Sequence, residues 1–526
     1  MKLTSYRLDP GRQSYKWWVL GNIMLGTFMA VLDSTIVNVG LPKIMATFGV
    51  SISKIQWIIT AYLLAIAVVL PAAAWLADRY GYKRLYFIGL FGFTAGSFLC
   101  GTAWNEDVLI ASRIIQGIGG GLIQPLGLAI ITREFPPRQR GLALGFWAIS
   151  SAASISFGPL IGGWLVDTFS WHLIFDVNVP LGIIGLAATI VIQREYRNPN
   201  VGRFDRAGFI SAVIFLPLTL FALTEANAPT NAEGWNAPYI LACLAAAFVA
   251  FVFFVVTELT VEEPLLDLKL LGDRNFGITM AVLFIFSIGM FGSTFLLPLY
   301  LQNAMDYSAL QAGAVFLPVG IIQGAVSPVS GWLSNKVNAK LLIAGGFLLL
   351  AYSFWLNGHF TALTPRHHIL FALYIRGFAM GMLFSVLNTV SLIRIPKAKM
   401  AQASGISNTV RQLAGSLGVA ILTTLLTSRQ LFNENRYGQV IDPDSPVYVQ
   451  TVRNLTGYAR QHGEKGMHTP AQQAQAILDR HIEREAYIQA IDDDFLLSAF
   501  ITGICVVPVL WLRVHDKDAR KGLEKA

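Results

Sequence analysis

Trp17 to Gly40 reads WWVLGNIMLGTFMAVLDSTIVNVG, an apolar run holding a single ionisable residue, Asp33. About twenty apolar residues suffice to cross about 30 Å of hydrocarbon as a helix. Lipid offers no partner to backbone polar groups, so such runs must be helical. Comparable runs recur at about 56–77, 85–103, 108–132, 141–166, 172–193, 207–224, 237–258, 276–302, 309–333, 341–358, 368–392, 401–427 and 495–512, which predicts fourteen spans. Composition agrees: of 526 residues 54% are hydrophobic and 13% charged, against about 25% charged in soluble domains. The chain reads as an all-α integral membrane protein.

The net charge of +8 could suggest nucleic acid, but its distribution is a topology signal. With a cytoplasmic N-terminus, Arg79, Lys83, Arg84, Arg133, Arg138, Arg140, Arg194, Arg197, Arg203, Arg206, Arg394, Lys397 and Lys399 fall inside. The short outside loops offer only Lys43, Lys54 and Arg366. This bias predicts that both termini are cytoplasmic, and no nucleic-acid partner is expected. Cys100, Cys243 and Cys505 lie inside apolar runs without metal-ligand spacing, so no disulfide framework or metal site is expected. The first run is too long for a cleavable signal and lacks a small-residue cleavage site, so it is expected to remain as a span.

The chain echoes itself. Ala74-Trp75-Leu76-Ala77-Asp78-Arg79 ends the second span, and Gly331-Trp332-Leu333-Ser334-Asn335-Lys336 ends the tenth. Arg113, early in the fourth span, precedes Gly117, Gly119, Gly120 and Gly121; Arg376, in the twelfth, precedes Gly377 and Gly381. Both echoes are about 260 residues apart, in the same order. Repeated halves are a common transporter architecture. The expected organisation is an N-terminal six-helix bundle over 1–195, two inserted helices with linkers over 196–274, and a C-terminal six-helix bundle over 275–526. The polar segment 428–494 is expected to form an outside loop. In it Thr469-Pro470 reads as an N-cap followed by a first-turn proline, and Ala474, Leu478 and Ile482 suggest a short amphipathic helix. It is either a solvated loop or a docking surface.

Several stretches carry a family resemblance. Leu32 to Pro42 (LDSTIVNVGLP) resembles the first-span motif of fourteen-helix drug:proton antiporters, the EmrB/QacA group of the major facilitator superfamily. Leu76 to Arg84 resembles the superfamily's loop between helices 2 and 3, and Arg113 to Gly117 its helix-4 motif. Gly158-Pro159-Leu160-Ile161-Gly162-Gly163 resembles the antiporter motif of helix 5, and Trp171–Gly182 and Ser407–Gly418 also match the group. The sequence departs from the pattern at Ala74, at Asn335 and at Asp176, where the group has a glycine, an acid and an apolar residue.

The resemblance implies two pseudo-symmetric six-helix bundles plus two extra helices in a bacterial cytoplasmic (inner) membrane. It further implies export of hydrophobic, cationic drugs driven by the proton gradient, with no cofactor and no enzymatic step. A fatty acid, lipid or metabolite exporter on the same fold is the alternative, and a receptor or sensor a more distant one. Segment 428–494, of a kind found in EmrB-type pumps, suggests a periplasmic adaptor and an outer-membrane channel as partners beside the small-molecule substrate, protons and the bilayer.

Physical chemistry assigns candidate roles. An ionised Asp33 inside a span is costly and must be paired, face a water-filled cavity or bind a proton. It is either the proton-coupling acid or a structural hydrogen-bond partner. Arg113 keeps its proton and is either the coupling partner of a nearby acid or a structural arginine. Asp176 is either a second titratable site or a surface acid. Asp78, Arg79, Lys83, Arg84 and Arg140 are candidates for a conformational latch. Gly158, Pro159, Gly162 and Gly163 permit close helix approach and a bend. Asn38, Gln56, Trp57, Tyr62, Gln116, Gln124, Gln323, Asn388, Asn408 and Arg411 are cavity candidates, though each could instead make an interhelical hydrogen bond. Arg376 and Arg411 could snorkel toward the cytoplasmic surface.

Overall fold

The computed structural model describes residues 14–512 apart from 198–201, 227–230, 232, 263, 335, 393–394, 396–398, 441–443 and 463–468. Every regular element among the described residues is a helix. The first half comprises α1 (Tyr15–Phe48), α2 (Trp57–Tyr80), α3 (Tyr82–Gly101), α4 (Glu106–Glu134), α5 (Pro137–Thr168) and α6 (Asn178–Ile192). Two helices follow, α7 (Arg206–Glu225) and α8 (Pro238–Thr260). The second half holds α9 (Arg274–Asn303), α10 (Ala309–Leu333), α11 (Ala339–Asn357), α12 (Arg366–Leu392), α13 (Met400–Val440), α14 (Pro446–His462) and α15 (Pro470–Ile504). Among the described residues thirteen candidate spans are both long and apolar enough to cross a membrane, and α5, with 32 residues, is long enough to cross as well. The chain is a multi-pass membrane protein.

Local chemistry sets many boundaries. The Asn105 side chain accepts from Val108 N at 2.8 Å to open α4, and Asp205 accepts from Gly208 N at 2.8 Å to open α7. Ser308 with Gln311, and Thr469 with Gln472, form capping boxes at α10 and α15. Gly49, at φ 65°, ends α1 in the left-handed conformation that glycine adopts without a Cβ penalty.

Two helices exceed the spans read from sequence. α13 has 41 residues and α15 has 35, lengths of about 60 and 50 Å at 1.5 Å per residue. Charges at Arg429, Glu434 and Arg480 end an apolar run but not a helix, because outside hydrocarbon such side chains are solvated and favour helix. The segment expected as a loop with a short helix is therefore largely helical, with α14 packed on α15. Thr469 and Pro470 cap it as expected, and Ala474 is buried. Arg484 ties α15 to the end of α9: its Nε donates to Ala304 O at 2.9 Å and its Nη2 to Asp306 Oδ2 at 3.0 Å.

The halves share a packing plan, with α3 on α4 and α1 on α5 in the first, and α11 on α12 and α9 on α13 in the second. α7 and α8 pair with each other and lean on α13, where Thr424 Oγ1 donates to Leu223 O at 3.1 Å. The halves meet through α5 against α10 and α2 against α13. One apolar core runs through the first half into Phe295–Leu301, Ala309–Val319 and Val419–Leu426, whereas Phe276–Phe286, Ile343–Phe354 and Ala379–Val390 belong to a separate core of the second half. The halves thus share a core toward one end, marked by Asp167. There Asp167 of α5 accepts from Ala309 N at 3.2 Å and Leu310 N at 2.7 Å, capping α10 across the interface, and Gln302 Nε2 donates to Val39 O at 2.9 Å.

Within the 158–163 motif Gly158 and Gly162 pack on α1 of their own half, and Gly163 serves this closure. A Cβ on Gly162 would lie 2.7 Å from Ile36 Cγ1, and one on Gly163 would strike the Ala309 carbonyl. Close backbone approach substitutes for the hydrophobic drive that lipid removes. Gly163→Val should force the halves apart at this end. Nitroxide labels at Ala46 and Tyr307, which line the depression between α1 and α10, should then report longer and broader distances. An unchanged distribution would show that the Gly163 contact does not hold the end shut.

Candidate functional site

The first half converges on one buried cluster. α4 sits deep between α2 and α3 because its glycines leave room: a Cβ on Gly117 would lie 2.7 Å from Tyr62 O and 2.8 Å from the Ala65 side chain. This brings Arg113, 1% exposed, against Asp33, 0% exposed, in the middle of α1. Arg113 Nη1 donates to Asp33 Oδ2 at 2.5 Å and to Gln116 Oε1 at 2.6 Å, while its Nε donates to Ile58 O at 2.9 Å. Asp33 Oδ1 accepts from Gln116 Nε2 at 2.7 Å and from Asn178 Nδ2 at 3.2 Å. Gln116 Nε2 also donates to Ser97 Oγ at 2.7 Å. The guanidinium lies 3.9 Å from the centre of the Tyr62 ring, whose hydroxyl donates to Ala30 O at 3.2 Å.

Five helices therefore share one carboxylate and its counter-charge: α1, α2, α3, α4 and α6. Each carboxylate oxygen is engaged, which is the condition for keeping a buried ion pair. The cluster is neutral only while Asp33 is ionised, so proton uptake there would leave Arg113 without its partner.

The other candidates are placed differently. Asp176 ends the short helix Leu173–Asp176 and packs against Gly101, half-exposed. Asn178, two residues on, reaches Asp33. Asn178 and Ser97 escaped the sequence reading, although an amide or hydroxyl inside an apolar run is the only signal they give. Asp78 pairs with Arg133 Nη2 at 3.5 Å and accepts from Tyr82 Oη at 2.9 Å. Arg84 pairs with Glu195 at 3.6 Å, Lys83 Nζ donates to Ile190 O at 2.7 Å, and Arg79 is exposed. The side chains of Ala74 and Arg140, and the whole of Asn335, lie outside the described residues.

Among the cavity candidates, Tyr62 and Gln116 belong to the Asp33 cluster. Asn38, Gln56 and Gln323 are buried, and Asn38 Oδ1 and Gln56 Oε1 have no hydrogen-bond partner. Trp57 packs near Leu413 and Leu417 of α13. Gln124, Asn388, Asn408 and Arg411 are partly exposed, with the Arg411 guanidinium 5.2 Å from the Phe384 ring centre. Arg376 does not snorkel: it is 1% exposed inside α12. The sequence reading also passed over Asp494 of α15, which is fully buried with both carboxylate oxygens unpartnered, beside an Asp493 paired with Arg429 at 3.8 Å.

Removing one member of a buried ion pair strands the other. Arg113→Met should destabilise the protein by about 3–5 kcal/mol, and adding Asp33→Asn should recover part of that loss. Thermal unfolding of the purified variants checks this. A double variant as unstable as the sum of its singles would mean the two charges are not coupled.

Residues 23–419 match the family model of the Major Facilitator Superfamily. The chain is 31% identical over 482 residues to the multidrug export protein EmrB of Escherichia coli (strain K12), covering 91% of this chain and 92% of that one. It is 30% identical over 496 residues to the fatty acid resistance protein FarB of Neisseria gonorrhoeae, covering 94% and 95%. An uncharacterised MFS-type transporter of Bacillus subtilis (strain 168), YhcA, is 30% identical over 502 residues, covering 95% and 92%. A bacterial homologue of the human lysosomal transporter Spinster, solved inward-facing and unoccupied, superposes with a TM-score of 0.63 at 17% identity over 96% of this chain and 100% of that one, a likeness of fold. A transporter fold of paired six-helix bundles with two added spans, matched along most of its length by these relatives, places the chain in the major facilitator superfamily.

Proposed function

We propose that this protein is a proton-driven exporter of hydrophobic compounds, working by alternating access in a bacterial cytoplasmic membrane with both termini in the cytoplasm. The observation that carries the reading is the carboxylate of Asp33 on α1, held by Arg113 and Gln116 of α4 and by Asn178 of α6. Protonation of Asp33 cancels its charge, releases Arg113 and weakens the tie between α1 and α4. A proton bound more tightly in one state than the other shifts the equilibrium between them. Cargo that prefers the opposite protonation state is then exchanged for the proton, with no cofactor beyond the gradient.

On the basic loops the Asp167 end would face outward and the Asp78 end inward, which makes the end closed by the shared core the outer end of this structure. In it Asp78 is satisfied within its own half by Arg133 and Tyr82. Closure of the inner end would offer this cluster, with Arg79, Lys83, Arg84 and Arg140, new partners on the second half, which is how a latch acts. Asp176 is the second candidate for a proton site.

Relatives named for multidrug export and for fatty acid resistance support a hydrophobic cargo. A cationic cargo would have to compete with Arg113 for Asp33. The projecting helices α13, α14 and α15 are the surface that a periplasmic adaptor leading to an outer-membrane channel would meet.

Dye exchange in proteoliposomes under an imposed pH gradient tests the reading, with ethidium as trial cargo. Wild type should move the dye against its gradient, and Asp33→Asn should lose at least about tenfold of the driven rate. Equal driven rates would make Asp33 structural and move the search to Asp176 or Asp494.

A further inference from the structure

The two halves treat their matching arginines differently. Arg113 of α4 is neutralised by Asp33 of α1. Arg376 of α12, its counterpart in the repeat, is just as buried at 1% exposure, yet its Nε, Nη1 and Nη2 have no hydrogen-bond partner. The ring of Phe354, centred 4.8 Å from its guanidinium carbon, is the contact it makes. α9, the helix that corresponds to α1, contains no Asp or Glu between Arg274 and Asn303. The acidic run of α15 does not supply the missing charge: Asp493 pairs with Arg429, and Asp492 Oδ1 and both oxygens of Asp494 make no hydrogen bond. Among the described residues no backbone carbonyl is bonded to the guanidinium either.

An arginine cannot shed its charge, and an isolated buried cation is strongly unfavourable. Such a residue is retained where an anion arrives to meet it. Its place in the helix fits a cargo position. Arg376 stands ten residues from the start of α12, about 15 Å along the helix and so about half-way through the hydrocarbon. Phe371, Tyr374 and Phe378 of the same helix are exposed on the lipid side, while Gly377 and Gly381 lie against α10, where added Cβ atoms would come within 2.7 Å of Val319 O and 2.6 Å of Val326 Cβ. The buried guanidinium is thus enclosed by the second bundle and lies too deep for a lipid headgroup.

We propose that Arg376 is an anion-binding subsite for the carboxylate of an amphipathic cargo, whose apolar tail lies among the helices of the second half. Planar guanidinium and planar carboxylate match in a two-point hydrogen bond, and the Phe354 ring lies beside the guanidinium. The division of labour is then spatial. Asp33 and Arg113 handle the proton in one half, and Arg376 selects the cargo's charge in the other. This refines the export reading by naming the cargo's chemical class, and it rests on that reading for the statement that the bound molecule is cargo.

The test is equilibrium binding, which needs no proton gradient. Purified full-length protein in non-ionic detergent is titrated with dodecanoate, dodecanol and dodecylamine, and the thermal unfolding midpoint is followed. Dodecanoate should half-saturate wild type at a concentration about tenfold below that of the other two. Arg376→Gln should erase this preference, and Arg376→Lys should keep part of it. Without ligand, Arg376→Gln should unfold at the wild-type midpoint or above, because an unpaired charge has been removed. Equal half-saturation by the three probes, an undiminished preference in Arg376→Gln, or a lower ligand-free midpoint in that variant would each overturn the proposal. If dodecanoate binding depends on Arg376 while no probe moves under a pH gradient, the anion site stands and the export reading fails.

Discussion

The buried pair of Asp33 and Arg113 is the constraint on which the rest of this molecule turns. Two opposite charges removed from water repay their desolvation only when geometry is good and the remaining donors and acceptors are satisfied. Here Gln116 bridges both partners, Asn178 and Ile58 O take up further bonds, and Tyr62 covers the guanidinium face. All of these groups come from helices of the first half, so the charge state of the pair sets how that half packs as it meets the second. The ion pair is therefore a local charge state written into a global arrangement of helices.

The rest of the architecture makes such rocking possible. A common apolar core and the Asp167 cap on α10 hold the halves together at one end, while the second half keeps a separate core toward the other. Packing across the interface relies on glycines rather than interlocking large side chains: Gly163 meets Ala309, and Gly313 meets Pro159. Smooth contacts of this sort can be opened and remade without extracting side chains from pockets. α7 and α8 stand apart from this machinery, with Phe248 and Val249 among their many outward-facing residues. Their covering of α13 is a peripheral packing role.

Much of this was legible in the sequence because lipid simplifies the code. Asp33 and Arg113 stand out because an ionisable residue inside an apolar run demands a reason, and Gln116 was marked only as one of several polar candidates for the cavity. Asn178 and Ser97 were not legible, since neutral polar residues in spans satisfy themselves in many ways. The burial of Arg376 was misjudged because helix position alone cannot show whether an arginine reaches the surface or stays inside. The lengths of α13 and α15 were missed for a different reason. Hydropathy reports where the hydrocarbon ends, and a helix continues past that point whenever its residues favour it.

The most direct test of the central claim is proton release by the purified protein on binding cargo, followed with a pH-sensitive dye in weakly buffered detergent solution. If proton and cargo exclude each other through Asp33, a transported compound should release protons from wild type in proportion to the sites filled. Asp33→Asn should bind the compound and release none. Stoichiometric release that persists in Asp33→Asn would contradict the account, because the proton would then reside elsewhere.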